Sequence, residues 1–300
     1  MPAGMKTPDF ETENTVASAL SWARRELARA AVDSPHLTAE LLLRNTLGWD
    51  RTRLLTYPEA PIPDEKRENF VTLVRRRCAG EPLEYITGEQ EFFGLSFLVT
   101  PAVLIPRPET EILVEKALAL AHMSSVRPLR FADVGTGSGC IAVSVARELR
   151  HSSVWAVDIS TAALAVACQN AERHGVADRI HFVCANMLEC FRPRPVFDFI
   201  LSNPPYVAGT EILDLPPVVR DHEPRVALYG GESGLDACAR LAAQARRHLA
   251  PGGFLLMEVG AGQSEVVARI LQGAGLSVEA VVEDLRGIPR CLVGVGPRKS

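Results

Sequence analysis

Hydrophobic positions change their period twice along this chain. From about residue 15 to residue 80 they recur at helical spacing. Val16, Ala19, Leu20, Ala23, Leu27 and Ala30 form one stripe, which predicts an amphipathic helix. Asp33-Ser34-Pro35 ends that helix and opens a second, with Ser34 as the expected N-cap and Pro35 at the tolerated first position. Leu37, Leu41, Leu42 and Leu47 continue it, and Gly48 is the expected stop. A further helix begins near Asp64, carries Phe70, Leu73 and Val74, and ends near Gly80. Residues 1–81 therefore read as a small helical bundle. Arg75-Arg76-Arg77 reads as a solvated helix end, favourable against the C-terminal dipole, with contact to an acidic partner as the alternative.

Residues 82–106 switch to short strand-like runs, Tyr85-Ile86-Thr87-Gly88 and Glu91 to Val99 around Gly94. They predict a β-hairpin linking two domains. Ile105-Pro106-Arg107-Pro108-Glu109-Thr110-Glu111 follows, stiffened by its prolines. It is either a capped helix start or a lid segment beside a ligand. From Leu129 onward, apolar runs alternate with helical stretches, the mark of a parallel α/β sheet. Strands are expected near 129–134, 154–158, 180–184, 197–202, 253–259, 277–283 and 291–296, with helices near 138–149, 161–174, 235–249 and 263–274. Between the last two strands lies only Asp284 to Arg290, too short for a parallel crossover, so the final strand should run antiparallel. The expected fold is α/β: over residues 107–300 a seven-stranded, mostly parallel sheet with an antiparallel last strand, joined by the hairpin to the N-terminal bundle.

Composition narrows the function classes. The 300 residues are 47% hydrophobic and 23% charged, ordinary for a soluble globular protein. A net charge of −4 argues against broad binding to nucleic-acid backbones. The seven cysteines are scattered, with no CxxC and no zinc spacing, so no metal site is expected and reduced, cytoplasmic thiols are. The N-terminus lacks the apolar core of a signal peptide, and no apolar run reaches membrane-spanning length. The first dozen residues are expected to be disordered.

The chemistry concentrates at strand ends. Phe197 to Tyr206 reads FDFILSNPPY: a buried strand that stops abruptly at Asn203-Pro204-Pro205-Tyr206. The carboxyl ends of strands are where open α/β sheets bind ligands. Asn203 offers a side-chain carbonyl, the prolines offer carbonyls without competing donors, and Tyr206 offers a flat ring. That set suits a planar group bearing an NH2; the plain alternative is a proline-stiffened loop. Earlier, Gly135-Thr136-Gly137-Ser138-Gly139 lies between a strand and a helix, without the GxGxxG or GK[ST] patterns of phosphate-binding turns. Asp158 ends the next strand 19 residues after Gly139, the expected place for a ribose-binding carboxylate, or else it is a simple helix cap. Asn186 and Met187 follow the third strand, where a base edge could pair and a soft side chain pack, unless Met187 is only core. Glycine turn, ribose acid, base pocket and a ligand without phosphates together point to S-adenosylmethionine, with S-adenosylhomocysteine as product.

These residues resemble class I, Rossmann-like methyltransferases acting on amino or amide nitrogen. GEQEFFGLSF, IPRPETEILVE, DVGTGSGCIAVSVA and DHEPRVAL-YGGESGLD are similar, more specifically, to the HemK/PrmC family. The resemblance spans about Leu83 to Val295. It implies methylation of the glutamine N5 in the Gly-Gly-Gln motif of class I peptide chain release factors, modulating translation termination. It implies that Gly135, Thr136, Gly137, Ser138, Gly139, Asp158, Asn186, Met187 and Asn203 bind the cofactor, and that Asn203, Pro204, Pro205 and Tyr206 hold the glutamine. It further implies that residues 1–81 dock the release factor, a cytoplasmic protein partner. The family often has Asp where Asn186 stands. A monomer without stable nucleic-acid binding is expected. Phe92, Phe93 and Phe97 either wall the glutamine site or pack, and His222 is either a surface residue or a proton acceptor. The competing functions are an adenine-N6 nucleic-acid methyltransferase, which shares NPPY, a glutamine methyltransferase of a ribosomal protein, and a cofactor-sensing module without catalysis.

Overall fold

The computed structural model describes residues 14–124 and 128–297; the expectation for the first dozen residues falls outside them. The chain divides after Gly88 into two compact units. The expected linker is thus split. Its first part belongs to the helical unit, and the hairpin belongs to the sheet unit.

The first unit is α1 (Val16–Arg29), α2 (Pro35–Leu47), α3 (Arg51–Thr56), α4 (Asp64–Cys78) and α5 (Leu83–Thr87). A capping box starts α1: Thr15 Oγ1 accepts from Ser18 N, and Ser18 Oγ accepts from Thr15 N. Ser34 does stand at the N-cap of α2, but at φ 51° its hydroxyl bonds nothing, so the expected cap is not made. Helix α3 was not anticipated, because six residues are too few to show a period; Asp50 caps it through Arg53 N at 2.7 Å. Tyr85 to Thr87 are helical rather than extended. Tyr85 and Ile86 are adjacent and both buried, a pattern no half-buried strand has. Gly48 and Gly88 end their helices at φ 69° and 78°, where a side chain would strain. Of the arginine run, Arg76 pairs with Glu81 at 2.5 Å and Arg77 donates to the Glu81 carbonyl. Leu27, Leu42, Leu43 and Phe70 are fully buried at the centre of the bundle, and Trp22 meets Phe70 edge-on. Each such side chain contributes about 1.5–3 kcal/mol of burial.

The second unit opens with the hairpin β1 (Glu89–Phe92) and β2 (Leu95–Leu98), turned by Phe93-Gly94 with both φ positive. After α6 (Glu111–Met123) come β3 (Arg130–Val134), α7 (Cys140–Glu148), β4 (Ser153–Asp158), α8 (Thr161–Arg173), β5 (Ile180–Cys184) and β6 (Phe197–Ser202). Two short helices, α9 (Pro217–Arg220) and α10 (Arg225–Leu228), precede α11 (Asp236–His248), β7 (Leu249–Glu258), α12 (Ser264–Gly273), β8 (Ser277–Glu283) and β9 (Pro289–Val295). The sheet order is β5-β4-β3-β6-β7-β9-β8. Strands β3 to β7 pair in parallel, while β9 runs antiparallel to both neighbours, as its short connection requires.

The order places β3 and β6 side by side, with their connections leaving in opposite directions. That switch point leaves a crevice at their carboxyl ends. Stacked Phe131 and Phe199, one from each strand, fill the sheet beneath it, with centroids 4.7 Å apart. Asn170, fully buried on α8, fastens the hairpin to the sheet unit. Its Oδ1 accepts from Leu98 N, and its Nδ2 donates to Leu98 O and to Ser138 O. Phe92 and Phe97 are core residues in edge contact, and Phe93 packs partly buried against the same cluster. None of the three lines the crevice, so the packing alternative holds for them. Among the described residues, no helix is long and apolar enough to cross a membrane.

Candidate active site

A cleft of about 390 Å³ occupies the switch point. The glycine turn forms its floor. Gly135, Gly137 and Gly139 have φ of 76°, 55° and 80°, so each favours glycine on backbone grounds. Their surroundings differ. A Cβ on Gly139 would sit 3.0 Å from Ala167 Cβ, so that glycine lets α8 approach. A Cβ on Gly137 would meet nothing within 4 Å, leaving that side open. Four of the turn's five amides are committed inside the protein. Gly135 N and Thr136 N donate to Val157 O, Gly137 N to Asp158 Oδ2 at 2.9 Å, and Gly139 N to Thr136 O. A phosphate cradle needs such N–H groups turned outward, so this turn does not make one.

Beneath the turn lies Asp133, fully buried. Its Oδ2 accepts from Thr136 Oγ1 at 2.6 Å and from Ala142 N at 3.1 Å, while Oδ1 has no hydrogen-bond partner. Burial pushes its pKa up to about 7 despite those two donors. Asp158 closes the neighbouring strand β4, and its two oxygens accept from Gly137 N and Ser160 N. It faces the cleft and is no plain helix cap; Ser160 caps α8, accepting from Ala163 N. Asn186 and Met187 line the far side. Asn186 Nδ2 donates to Glu189 Oε1 at 3.1 Å. Met187 has φ 53°, a left-handed conformation rare for a non-glycine residue, costing about 1–2 kcal/mol. Such strain concentrates at functional sites.

Asn203-Pro204-Pro205-Tyr206 leaves β6 at the cleft. Ser202 Oγ donates to Val134 O at 2.7 Å, holding the end of β6 against β3. Asn203 Nδ2 donates to Thr110 Oγ1 at 3.1 Å. Thr110, itself buried, is the hydrogen-bond partner of Glu258 at the end of β7. Burial raises the Glu258 pKa to about 7; the Thr110 hydroxyl and Arg290 counter it. The Tyr206 phenol is also held above its ordinary pKa, by burial first and then by Glu258. Behind the tetrapeptide, Gln263 Nε2 donates to Tyr206 O at 3.0 Å. The loop around Gly230 and Gly234 presses on its back. A Cβ on Gly230 would lie 2.6 Å from Pro205 O, and one on Gly234 2.5 Å from Tyr206 O.

The cleft wall is latched by charge. Arg107 Nη2 donates to Glu223 Oε1, and Ile105 N donates to Glu223 Oε2. The Glu223 side chain is 1% exposed. Arg107 and Thr110 line the cleft, so the proline-stiffened segment is both a helix start and a wall. Glu109 pairs with Arg286, and Glu111 Oε1 accepts from Phe93 N; both acids make specific contacts beyond a dipole effect.

Residues 18–88 match the family description "PrmC N-terminal domain", and residues 110–215 match "Methyltransferase small domain". A release factor glutamine methyltransferase of Koribacter versatilis is 46% identical over 285 residues, covering 94% of this chain and 99% of that protein. The chain belongs to the release factor glutamine methyltransferase family. Another member, from Geobacter sulfurreducens, is 42% identical over 281 residues, 93% of this chain and 96% of that one. In fold alone, the chain is similar to a methyltransferase of Pyrococcus furiosus, at a TM-score of 0.50 and 16% identity, covering 78% of this chain and 100% of that one.

This is a methyltransferase family that uses S-adenosylmethionine, and the residues present fit that group. Four of the turn's five amides are spent, which suits a ligand without phosphates. An acid stands at the end of β4 for hydroxyls. Asn186, with its NH2 already engaged, keeps a carbonyl oxygen for a base edge. Of the cofactor residues inferred from the sequence, Gly135 to Ser138, Asp158, Asn186, Met187 and Asn203 line this one cleft; Gly139 does not, because it is turned against Ala167 of α8. Of the tetrapeptide, Asn203, Pro204 and Pro205 line it too, while Tyr206 is bonded just behind through Gln263. Sequence reasoning missed Thr110, Asp133, Asn170, Glu223, Glu258 and Gln263. Asp133 and Glu258 carried a signal, each an acid inside an apolar strand. His222 was weighed, but it is Glu223 beside it that is buried.

Proposed function

We propose that this chain transfers a methyl group from S-adenosylmethionine to the side-chain amide nitrogen of the glutamine in the Gly-Gly-Gln motif of class I peptide chain release factors. The observation that carries the chemistry is the bond from Asn203 Nδ2 to Thr110. It occupies the donor end of the Asn203 carboxamide and leaves Oδ1 as an acceptor.

An amide nitrogen is a poor nucleophile because its lone pair is delocalised, as the rotation barrier of about 18–20 kcal/mol shows. Asn203 Oδ1 and the Pro204 carbonyl accept the two amide protons and so fix the nitrogen's orientation. Pro204 and Pro205 have no N–H, so no donor of their own competes for those carbonyls. When bound, S-adenosylmethionine supplies an electrophilic sulfonium methyl and leaves as S-adenosylhomocysteine. The two acceptors stabilise positive charge developing on the nitrogen, the opposite-sign counterpart of an oxyanion hole. Tyr206, just behind the cleft, holds the tetrapeptide in place through its carbonyl, which accepts from Gln263 Nε2. No strong base is required, because the proton becomes acidic as the nitrogen loses its lone pair, and it passes to solvent water. Gly137, Asp158, Asn186 and Met187 hold the adenosyl portion.

The helical unit, matched by the PrmC N-terminal description, docks the release factor, and the protein acts in the cytoplasm. The test is incubation of the full chain with labelled S-adenosylmethionine and a purified release factor, followed by mass mapping. One methyl on the Gly-Gly-Gln glutamine is expected, and none on a Gln→Ala substrate. Label on another residue, or on RNA instead, would overturn the assignment.

A further inference from the structure

We propose that Thr110 and Glu258 are positioning residues that decide which way round the Asn203 carboxamide points, and so govern turnover without touching substrate. The inference rests on the function proposed above. A carboxamide's two ends are nearly the same size, so hydrogen bonding alone selects its orientation. Asn203 works only with Oδ1 toward the substrate amide. Turned over, its NH2 would face the substrate's own NH2, donor against donor.

Thr110 Oγ1 resolves the choice. A hydroxyl has one proton to give. Glu258, when ionised, can only accept, so the Thr110 proton goes to the carboxylate. Oγ1 is then left to accept, and it accepts from Asn203 Nδ2 at 3.1 Å. Thr110 is 2% exposed and Glu258 3%, so water does not compete for that proton. Glu258 Oε2 is buried with no hydrogen-bond partner, which leaves the carboxylate dependent on Thr110. Protonation of Glu258 reverses the relay. A carboxylic acid donates to Oγ1, the Thr110 proton turns to Asn203, and the carboxamide flips.

The groups facing Glu258 are Arg290 and Cys291 on β9, Arg107 and Glu109 before α6, Tyr206 on the tetrapeptide, and Cys140 on α7. Arg290 and Arg107 favour the ionised form, and Glu109 opposes it. Burial raises the Glu258 pKa to about 7, so activity should fall as pH drops through that value.

The experiment compares wild type, Thr110→Val, Thr110→Ser and Glu258→Gln as full chains. It reads kcat on release factor, cofactor affinity by calorimetry, and the pH profile of kcat. Removing one hydrogen bond's bias predicts that Thr110→Val lowers kcat about 2- to 10-fold, with cofactor affinity unchanged. Thr110→Ser, which keeps the hydroxyl, retains wild-type kcat. The acidic limb of the wild-type profile disappears in Glu258→Gln, because a glutamine does not titrate. Wild-type kcat in Thr110→Val would overturn the proposal. So would equal impairment in Thr110→Ser, which would make the effect one of packing. An acidic limb surviving in Glu258→Gln would move the titration to Asp133 and overturn it too. Failure of the wild type itself to methylate release factor would instead sink the parent reading.

Discussion

Replacing Asn203 with alanine removes the one side-chain acceptor that the geometry reserves for the substrate amide. Two consequences can be worked out separately. The first is catalytic. An interaction directed at charge that develops in the transition state is worth about 10²–10³ in kcat, or about 2.7–4 kcal/mol, judging by the loss of one oxyanion-hole donor. The Pro204 carbonyl remains, so turnover should fall by that factor without vanishing. The second is structural. Thr110 Oγ1 loses the 3.1 Å bond from Nδ2 while 2% exposed. One unsatisfied buried acceptor costs about 1 kcal/mol, which for a domain of this size lowers Tm by about 2–4 °C. Methyl transfer from labelled S-adenosylmethionine to a purified release factor measures the first, and a thermal melt measures the second. Calorimetry should find cofactor affinity little changed, since Asp158 and the glycine turn are untouched. Turnover near wild type in the folded variant would refute the role given to Asn203.

Gly230→Ala places a Cβ 2.6 Å from Pro205 O and 2.8 Å from Tyr206 Cα, both backbone atoms, so the tetrapeptide must shift. About 1–3 kcal/mol of stability and up to about 10² in kcat should be lost, read by urea unfolding and the methylation assay. Arg107→Ala removes the Arg107 guanidinium from Glu223, whose side chain is 1% exposed. A loss of about 3 kcal/mol is expected, the low end for a broken buried pair because Arg107 is partly exposed, and a urea titration checks it. Asp133 and Glu258 have folded-state pKa values raised to about 7, above their unfolded values. Their contribution to stability is fully present below about pH 4 and is lost as pH rises to about 7, so unfolding free energy should decline across that window. Asp133→Asn should flatten the decline, measured by urea midpoints at a series of pH values; an unchanged slope would contradict the burial of that charge.

Periodicity was enough where an element is long and one-sided. The stripe from Val16 to Ala30 and the strand–helix alternation after Leu129 place α1 and the seven strands of the main sheet near their observed bounds. It was not enough for short pieces. Helix α3 has six residues, and α5 has five, so period 2 and period 3.6 cannot be told apart there. The hairpin's membership of the sheet unit depends on partners far away in sequence, Asn170 bonded to Leu98 and Glu111 bonded to Phe93 among them.

By itself the sequence determined the residue types that chemistry demands at strand ends: glycines after β3, Asp158 after β4, Asn186 and Met187 after β5, and the proline-stiffened tetrapeptide after β6. These are local requirements, met by what one residue can or cannot do with its own backbone and side chain. Only the tertiary structure decided how those ends share one cleft and what supports them. Sheet order brings β3 beside β6, and β7 beside β6 pairs Ser202 with Met257, which sets Glu258 beside Asn203, where Thr110 meets both. Hydrogen bonds and desolvation act through space at about 3 Å. Residues 110, 203 and 258 are therefore joined by proximity that no spacing along the chain encodes.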